Sequence, residues 1–223
     1  MGLGESIERG LNAYRQWRLM RLPGPLGEFH RGGGQAMLLR GMELGADDIA
    51  LDVGGYVGDW AAEMLCRFGC RVIVLEPMAP ALLALNARFG QNQRITIIEA
   101  GLAGSDKPLA MSVAADSSSA FRTGQAQQTT TVPMKGVAAL FKELSPSTVG
   151  CMKLNIEGGE YEVLETMLAE DLLRTIRYLL IQFHEIDANS RERHRLIQEG
   201  LSAQFVKEFD YPFTWERWKR KDT

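Results

Sequence analysis

Asp52-Val53-Gly54-Gly55-Tyr56-Val57-Gly58 is the stretch that decides the fold. A hydrophobic run, residues 49–53, enters it, and a helix-like segment, residues 59–68, leaves it. A second hydrophobic run, residues 72–75, then ends in Glu76. Strand, glycine turn, helix, strand and acid are the opening unit of an open α/β sheet that holds a nucleotide-like ligand. The glycines let the backbone come close to that ligand, and an acid at the tip of the second strand suits ribose hydroxyls.

The spacing is D-x-G-x-x-x-G, not the G-x-G-x-x-G of dinucleotide sites. That difference favours S-adenosylmethionine (SAM) over a dinucleotide. It also counts against an NAD-dependent oxidoreductase, as does the lack of a Tyr-x-x-x-Lys pair.

Working outward, strand and helix patterns alternate. Helix 79–90 precedes strand 94–98, and two strands follow near 108–113 and 129–134. Helix 136–143, strand 151–155, helix 159–173, strand 178–183 and helix 189–203 come next. The alternation predicts a mostly parallel sheet with helices on both faces. A final pair, near 204–209 and 213–218, is joined around Tyr211-Pro212 by a link too short for a parallel crossover. That pair is therefore expected to be an antiparallel hairpin. The whole is the Rossmann-like layout of class I SAM methyltransferases. Upstream, a helix over 4–20 is expected to end at Leu22-Pro23-Gly24-Pro25-Leu26-Gly27, before a second break at Gly32-Gly33-Gly34 and a short helix over 35–42. Residues 1–45 thus read as an N-terminal helical extension and 46–223 as the SAM-dependent methyltransferase domain.

Composition narrows the partners. The 223 residues carry a net charge of −3, with no strong global field to attract nucleic acid or an anionic membrane. The N-terminus lacks the apolar core of a signal peptide, and no segment is long and apolar enough for a membrane span. Cys66, Cys70 and Cys151 read as reduced thiols, and the expected location is the cytoplasm. Cys66 and Cys70 have no second ligand pair, so no metal site is predicted.

Ligands of open parallel sheets lie beyond the carboxyl ends of the strands. Those ends supply Asp52, Gly54, Gly55, Tyr56 and Gly58, then Glu76-Pro77, which starts 24 positions after Asp52. They also supply Glu99-Ala100-Gly101, to flank adenine, and Asn155-Ile156-Glu157. Gly54 leaves room for the amino-acid portion of the cofactor; Asp52 can hold the loop or accept from the cofactor ammonium. Glu76 can accept two hydrogen bonds from a ribose diol. The alternative role for Gly54 and Gly58 is tight packing between helix and strand.

Lys153-Leu154-Asn155-Ile156-Glu157-Gly158-Gly159-Glu160 is the second unusual stretch. Strand alternation puts Lys153, Asn155 and Glu157 on one side, where a doubly covered strand should be apolar. Such departures gather at functional sites. Glu160 falls in the first turn of the next helix, where a capping role and a chemical one fit equally well.

These motifs resemble the FkbM family of SAM-dependent O-methyltransferases. The family's D-V-G-x-x-x-G loop is matched at Asp52–Gly58, its E-P at Glu76-Pro77 and its serine-rich loop at Ser117-Ser118-Ser119. Its K-x-D-x-E-G-x-E is matched at Lys153–Glu160, and its E-x-H-like strand end at Gln182-Phe183-His184. The likeness runs over roughly residues 45–210. The chain departs from it at Asn155, where aspartate is usual; an amide cannot be a general base, so Asn155 is given a positioning role. The Gln182-Phe183-His184 form and the block Tyr211-Pro212-Phe213-x-Trp215-Glu216-x-x-Trp218 resemble a branch associated with glycan biosynthesis.

The resemblance implies methyl transfer to a hydroxyl of a small molecule, a sugar or glycan precursor. A non-catalytic SAM-binding or interaction module on the same fold is the competing class. The catalytic group is expected among His184, Glu157, Asn155 and Lys153, with His184 the first candidate base, since imidazole titrates near neutrality. His194, among Arg191, Arg193 and Arg195, reads as part of a solvated helix face. Asp116 is a further oxygen donor, but no spacing fixes a metal. Phe209, Tyr211, Phe213, Trp215 and Trp218 could form a sugar-stacking surface or the core of the last hairpin; alternation puts Phe213, Trp215 and Phe209 on one side, which favours core. The N-terminal helix could cap the substrate site or form a homodimer contact.

Overall fold

The computed structural model describes residues 14, 17–106, 109–113, 118–119, 129–145 and 148–221. The Gly-rich turn sits where the sequence places it. Strand β1 (Ile49–Val53) runs through it into helix α3 (Asp59–Phe68), and β2 (Arg71–Leu75) follows. Two short helices, α1 (Gly24–Arg31) and α2 (Gln35–Leu38), precede β1. Helix α4 (Ala79–Phe89) and β3 (Ile95–Ile98) complete the first half. The second half contains α5 (Val137–Leu144), β9 (Val149–Leu154), α6 (Glu160–Ala169) and β10 (Ile176–Ile181). It ends in α7 (Ser190–Ser202), β11 (Phe205–Tyr211) and β12 (Trp215–Arg220).

Seven strands form one sheet in the order β11-β12-β10-β9-β1-β2-β3. Pairings from β3 to β10 are parallel, while β12 lies antiparallel between β10 and β11. The strand order reverses between β1 and β9, and open α/β sheets bind ligands in the crevice beyond the carboxyl ends at such a point. Between the halves, β4 (Gly101–Ala103) pairs in parallel with β8 (Met134–Gly136). There too, β5 (Leu109–Val113), β6 (Ser118–Ser119) and β7 (Thr129–Val132) make a small antiparallel sheet. Ser118 and Ser119 of the serine-rich motif are therefore in β6, whereas Ser117 and Asp116 lie outside the described residues.

Side chains alternate along β1, so its two faces build two cores. Leu51 and Val53 join Met152, Leu154, Leu179 and Ile181 beneath α5, α6 and α7. Ala50 joins Val72, Val74, Cys151 and Leu180 beneath α1 to α4. Trp215 belongs to the second core with Phe209 and Tyr211, and Trp218 to the first with Phe213. The expected grouping of Phe213 with Trp215 is thus corrected: Phe213 lies in the turn, at φ 53°, where strand alternation does not extend.

Two further expectations change. The Leu22–Gly27 stretch does not simply terminate a helix; α1 starts inside it, with Pro25 in the first turn, where a missing N–H costs nothing. His194 is not solvated. Ser190, His194, Ile197 and Leu201 form the buried stripe of α7, and the neighbouring arginines take the other faces. The His194 ring lies between Phe183, at 4.5 Å, and Phe213, at 5.0 Å, and its Nε2 meets Glu216 Oε1.

Candidate active site

Asp52 and Lys153 are direct neighbours in the β1–β9 register, so their side chains leave the sheet side by side. The Lys153 ammonium donates to Asp52 Oδ1 at 2.6 Å and to the Gly54 carbonyl at 3.2 Å. Both residues are buried. Burial pushes the Asp52 carboxyl above the ordinary carboxylate range, and the ammonium opposes that rise. This pair ties the Gly loop to β9, which is the loop-holding alternative of the two roles open to Asp52. It also gives the polar interruption of β9 a structural partner.

The loop itself is shaped by close packing. A Cβ on Gly54, at φ 77°, would stand 2.1 Å from the Asn155 carbonyl oxygen. One on Gly58, at φ 84°, would strike Phe89 at 2.5 Å. Packing therefore accounts for these glycines before any ligand is considered. Tyr56 is left exposed at the loop tip with φ 48°, a left-handed conformation unusual for a tyrosine.

Glu76 sits at the end of β2 and is nearly buried. Its Oε2 accepts from the Tyr56 N–H at 2.8 Å and its Oε1 from the Met78 N–H at 2.9 Å. Each oxygen keeps a further acceptor site. Burial raises its pKa above the ordinary value, and the two backbone N–H donors pull it back. Pro77 is half-buried beside it, and Gly101 passes so close to Met134 that a Cβ would stand 2.6 Å from the sulfur. Glu99 is exposed and Ala100 buried at the end of β3.

On the other side of the crevice, β9 stops at Leu154, and Glu157 turns with φ 53°. The side-chain alternation expected to carry from Lys153 to Glu157 therefore ends before Asn155. Asn155 donates its N–H to Val53 and has a buried Oδ1 with no hydrogen-bond partner.

His184, beyond β10, is held at three points by the start of α6. Its backbone N–H donates to Glu160 Oε1 at 2.6 Å, its Nδ1 lies 3.0 Å from the same oxygen, and its carbonyl accepts from Tyr161 Oη at 2.9 Å. Glu160 is fully buried, and its Oε2 accepts from the Gly158 N–H at 2.9 Å. The Glu160 oxygen at Nδ1 favours the tautomer protonated on that nitrogen. Nε2 faces Glu157 Oε1 at 3.6 Å, too far for a direct hydrogen bond. In its neutral form, an imidazole oriented by a buried carboxylate can take a proton from a hydroxyl. In the sequence Glu160 is the last acid of the K-x-D-x-E-G-x-E match and an acid at N1 of a helix, which leaves capping and chemistry equally open; its contacts with His184 show what it holds.

A sequence model of the methyltransferase FkbM domain matches residues 52–211. The chain belongs to the FkbM methyltransferase family. It is a SAM-dependent methyltransferase with the class I fold. Among solved structures it is similar to a protein from Clostridium thermocellum described as an rRNA methylase, 11% identical, with a TM-score of 0.50 over 90% of this chain and 99% of that one. It is also similar to the N-methyltransferase NodS from Bradyrhizobium japonicum, crystallised with S-adenosylhomocysteine, 13% identical, with a TM-score of 0.42 over 92% of each chain. Such low identities concern the fold alone. No curated protein matches the sequence.

The residues around the crevice suit SAM. Among the described residues, Asn155 Oδ1 is a buried acceptor without a partner, and both oxygens of Glu76 retain acceptor capacity. A cationic, donor-rich cofactor is the chemistry such a set of acceptors takes. Among the described residues no group of three or more His, Cys, Asp or Glu is placed to hold a metal ion. No described helix is long and apolar enough to cross a membrane.

Proposed function

We propose that this methyltransferase methylates a hydroxyl of a small molecule, a sugar or glycan precursor, with His184 as the general base. The observation that carries this reading is the three-point clamp of His184 by Glu160 and Tyr161, which leaves Nε2 directed at Glu157. SAM supplies an electrophilic methyl group. Glu76 and the Gly54–Gly58 loop bind and orient the cofactor, Glu99 to Gly101 flank its adenine, and Asn155 accepts from it. Lys153 and Asp52 keep the loop in place. Nε2 of His184 takes the hydroxyl proton, and Glu157 steadies the imidazolium so formed. Glu160 holds the tautomer that makes this possible and is a positioning residue.

Residues 1–45 act in this reading as an extension fastened to domain 46–223. Arg217 of β12 supports it by donating to the carbonyls of Leu38 and Arg40 at 3.0 and 2.7 Å. The cytoplasm remains our expected location, in keeping with free thiols at Cys66, Cys70 and Cys151. RNA is the competing acceptor, since the Clostridium thermocellum protein is described as an rRNA methylase. A net charge of −3 favours the small hydroxyl, and so does the stretch Asn155-Ile156-Glu157-Gly158, which stands where a nucleic-acid methyltransferase would carry an N/D-P-P-Y type motif.

The test offers methyl-deuterated SAM with panels of monosaccharides, nucleotide sugars, amines and RNA, read by mass spectrometry. A labelled methyl ether is expected, formed about 10²–10⁴-fold more slowly by His184→Ala. Labelled RNA or amine with unmethylated sugars would overturn the reading.

A further inference from the structure

Five of the large apolar side chains that the described residues expose fall in one short stretch: Tyr14, Trp17, Met20, Leu22 and Leu26. The others, Tyr56, Leu83, Leu196 and Val206, are scattered singly along the chain. Contiguous exposed apolar surface marks a place of interaction. In sequence, Tyr14 and Trp17 continue the apolar spacing of Ile7 and Leu11, and the described members of that set, Tyr14 and Trp17, are turned to solvent.

The segment is presented firmly. Arg31 of α1 donates to the Met20 carbonyl at 2.7 Å and the Leu22 carbonyl at 3.3 Å. Helix α1 is itself anchored by buried Phe29, edge-on to Tyr211 of β11 at 5.6 Å. Tyr14 stacks on Trp17 at 5.8 Å, and the Arg21 guanidinium lies 3.9 Å over the Trp17 ring. Arg18 is exposed beside them.

Charge selects the occupant. Residues 1–40 hold six arginines against Glu5, Glu8 and Glu28, a net +3 within a chain of net −3, which leaves −6 on the remainder. A two-fold dimer through this face would set Arg18 and Arg21 against their own copies. An anionic partner meets no such repulsion, and one with an apolar phase also takes up Trp17, Met20, Leu22 and Leu26. Arginines interleaved with tryptophan and leucine on a surface segment are the chemistry of a helix that lies in a membrane interface. We infer that Tyr14 and residues 17–26 dock this enzyme onto an anionic lipid surface. The inference does not depend on which hydroxyl is methylated.

The test mixes the full chain with vesicles of phosphatidylcholine alone, or with about one-third phosphatidylglycerol. Of the four tryptophans, Trp60, Trp215 and Trp218 are at most 8% exposed, whereas Trp17 is 44% exposed, so emission reports chiefly on Trp17. Co-sedimentation with the anionic vesicles and a blue shift are expected. Arg18→Glu with Arg21→Glu should lower partitioning at least about tenfold, and Trp17→Ala should remove the shift, with S-adenosylhomocysteine affinity unchanged in both. No partitioning of the folded wild type, equal binding to neutral vesicles, binding to RNA in place of vesicles, or a dimer abolished by Trp17→Ala would each overturn the inference.

Discussion

Glu160 is the residue on which the proposed chemistry turns. It spends both oxygens inside the fold, one on Gly158 and one on His184, and is fully buried. Glu160→Gln keeps the shape but no longer favours the Nδ1–H tautomer, so kcat should fall about 10²–10⁴-fold with little change in KM for SAM. Its pH–rate profile should move as well, which a purely structural role would not produce. Glu76 makes a different prediction. Its raised pKa means that the folded state favours the neutral acid, so its contribution to stability declines as pH rises through that window. Cofactor binding needs the carboxylate as acceptor and runs the other way. Affinity for S-adenosylhomocysteine, measured by calorimetry, should weaken as pH falls in a window above 4.5, and Glu76→Gln should flatten that dependence.

At the scale of elements, the Gly loop and β9 are held together by one buried ion pair. Lys153→Met strands Asp52 and should destabilise the protein by about 3–5 kcal/mol in chemical denaturation. Adding Asp52→Asn should recover much of the loss. The loop also stores strain at Tyr56, whose side chain is exposed; Tyr56→Gly should stabilise the fold by about 1 kcal/mol. The strands and the C-terminal hairpin could be read from the sequence because glycines, prolines and apolar runs punctuate them locally. Helix α1 could not, because its Pro-Gly sequence marks a break and equally suits a first turn. His194 was hidden for another reason. Its three arginine neighbours describe the outside of α7, whereas its burial depends on Phe183, Phe213 and Glu216, which are distant in sequence or across a turn.

Across the whole molecule, the two halves of the sheet divide the work. In the proposed function, the β1–β3 half offers acceptors for the cofactor, and the β9–β10 half offers a proton acceptor backed by α6. The strand order brings them to one crevice, although Glu76 and His184 are over a hundred residues apart. The acidic balance of the chain beyond residue 40 suits a small acceptor, while its N-terminal charge is of the opposite sign. The sequence motifs already marked both sides of the crevice. They offered packing of Gly54 and Gly58 and loop-holding by Asp52 as alternatives but not the partners, since Lys153, Asn155 and Phe89 are distant in sequence.

Calorimetric titration of the purified protein with S-adenosylhomocysteine, with NAD in parallel and Glu76→Ala as comparison, tests the site most directly. Binding of S-adenosylhomocysteine, no heat from NAD, and a loss of about 1.5–3 kcal/mol in the variant are predicted. A folded protein that fails to bind S-adenosylhomocysteine, or a Glu76→Ala variant that binds it as well as wild type, would contradict the account.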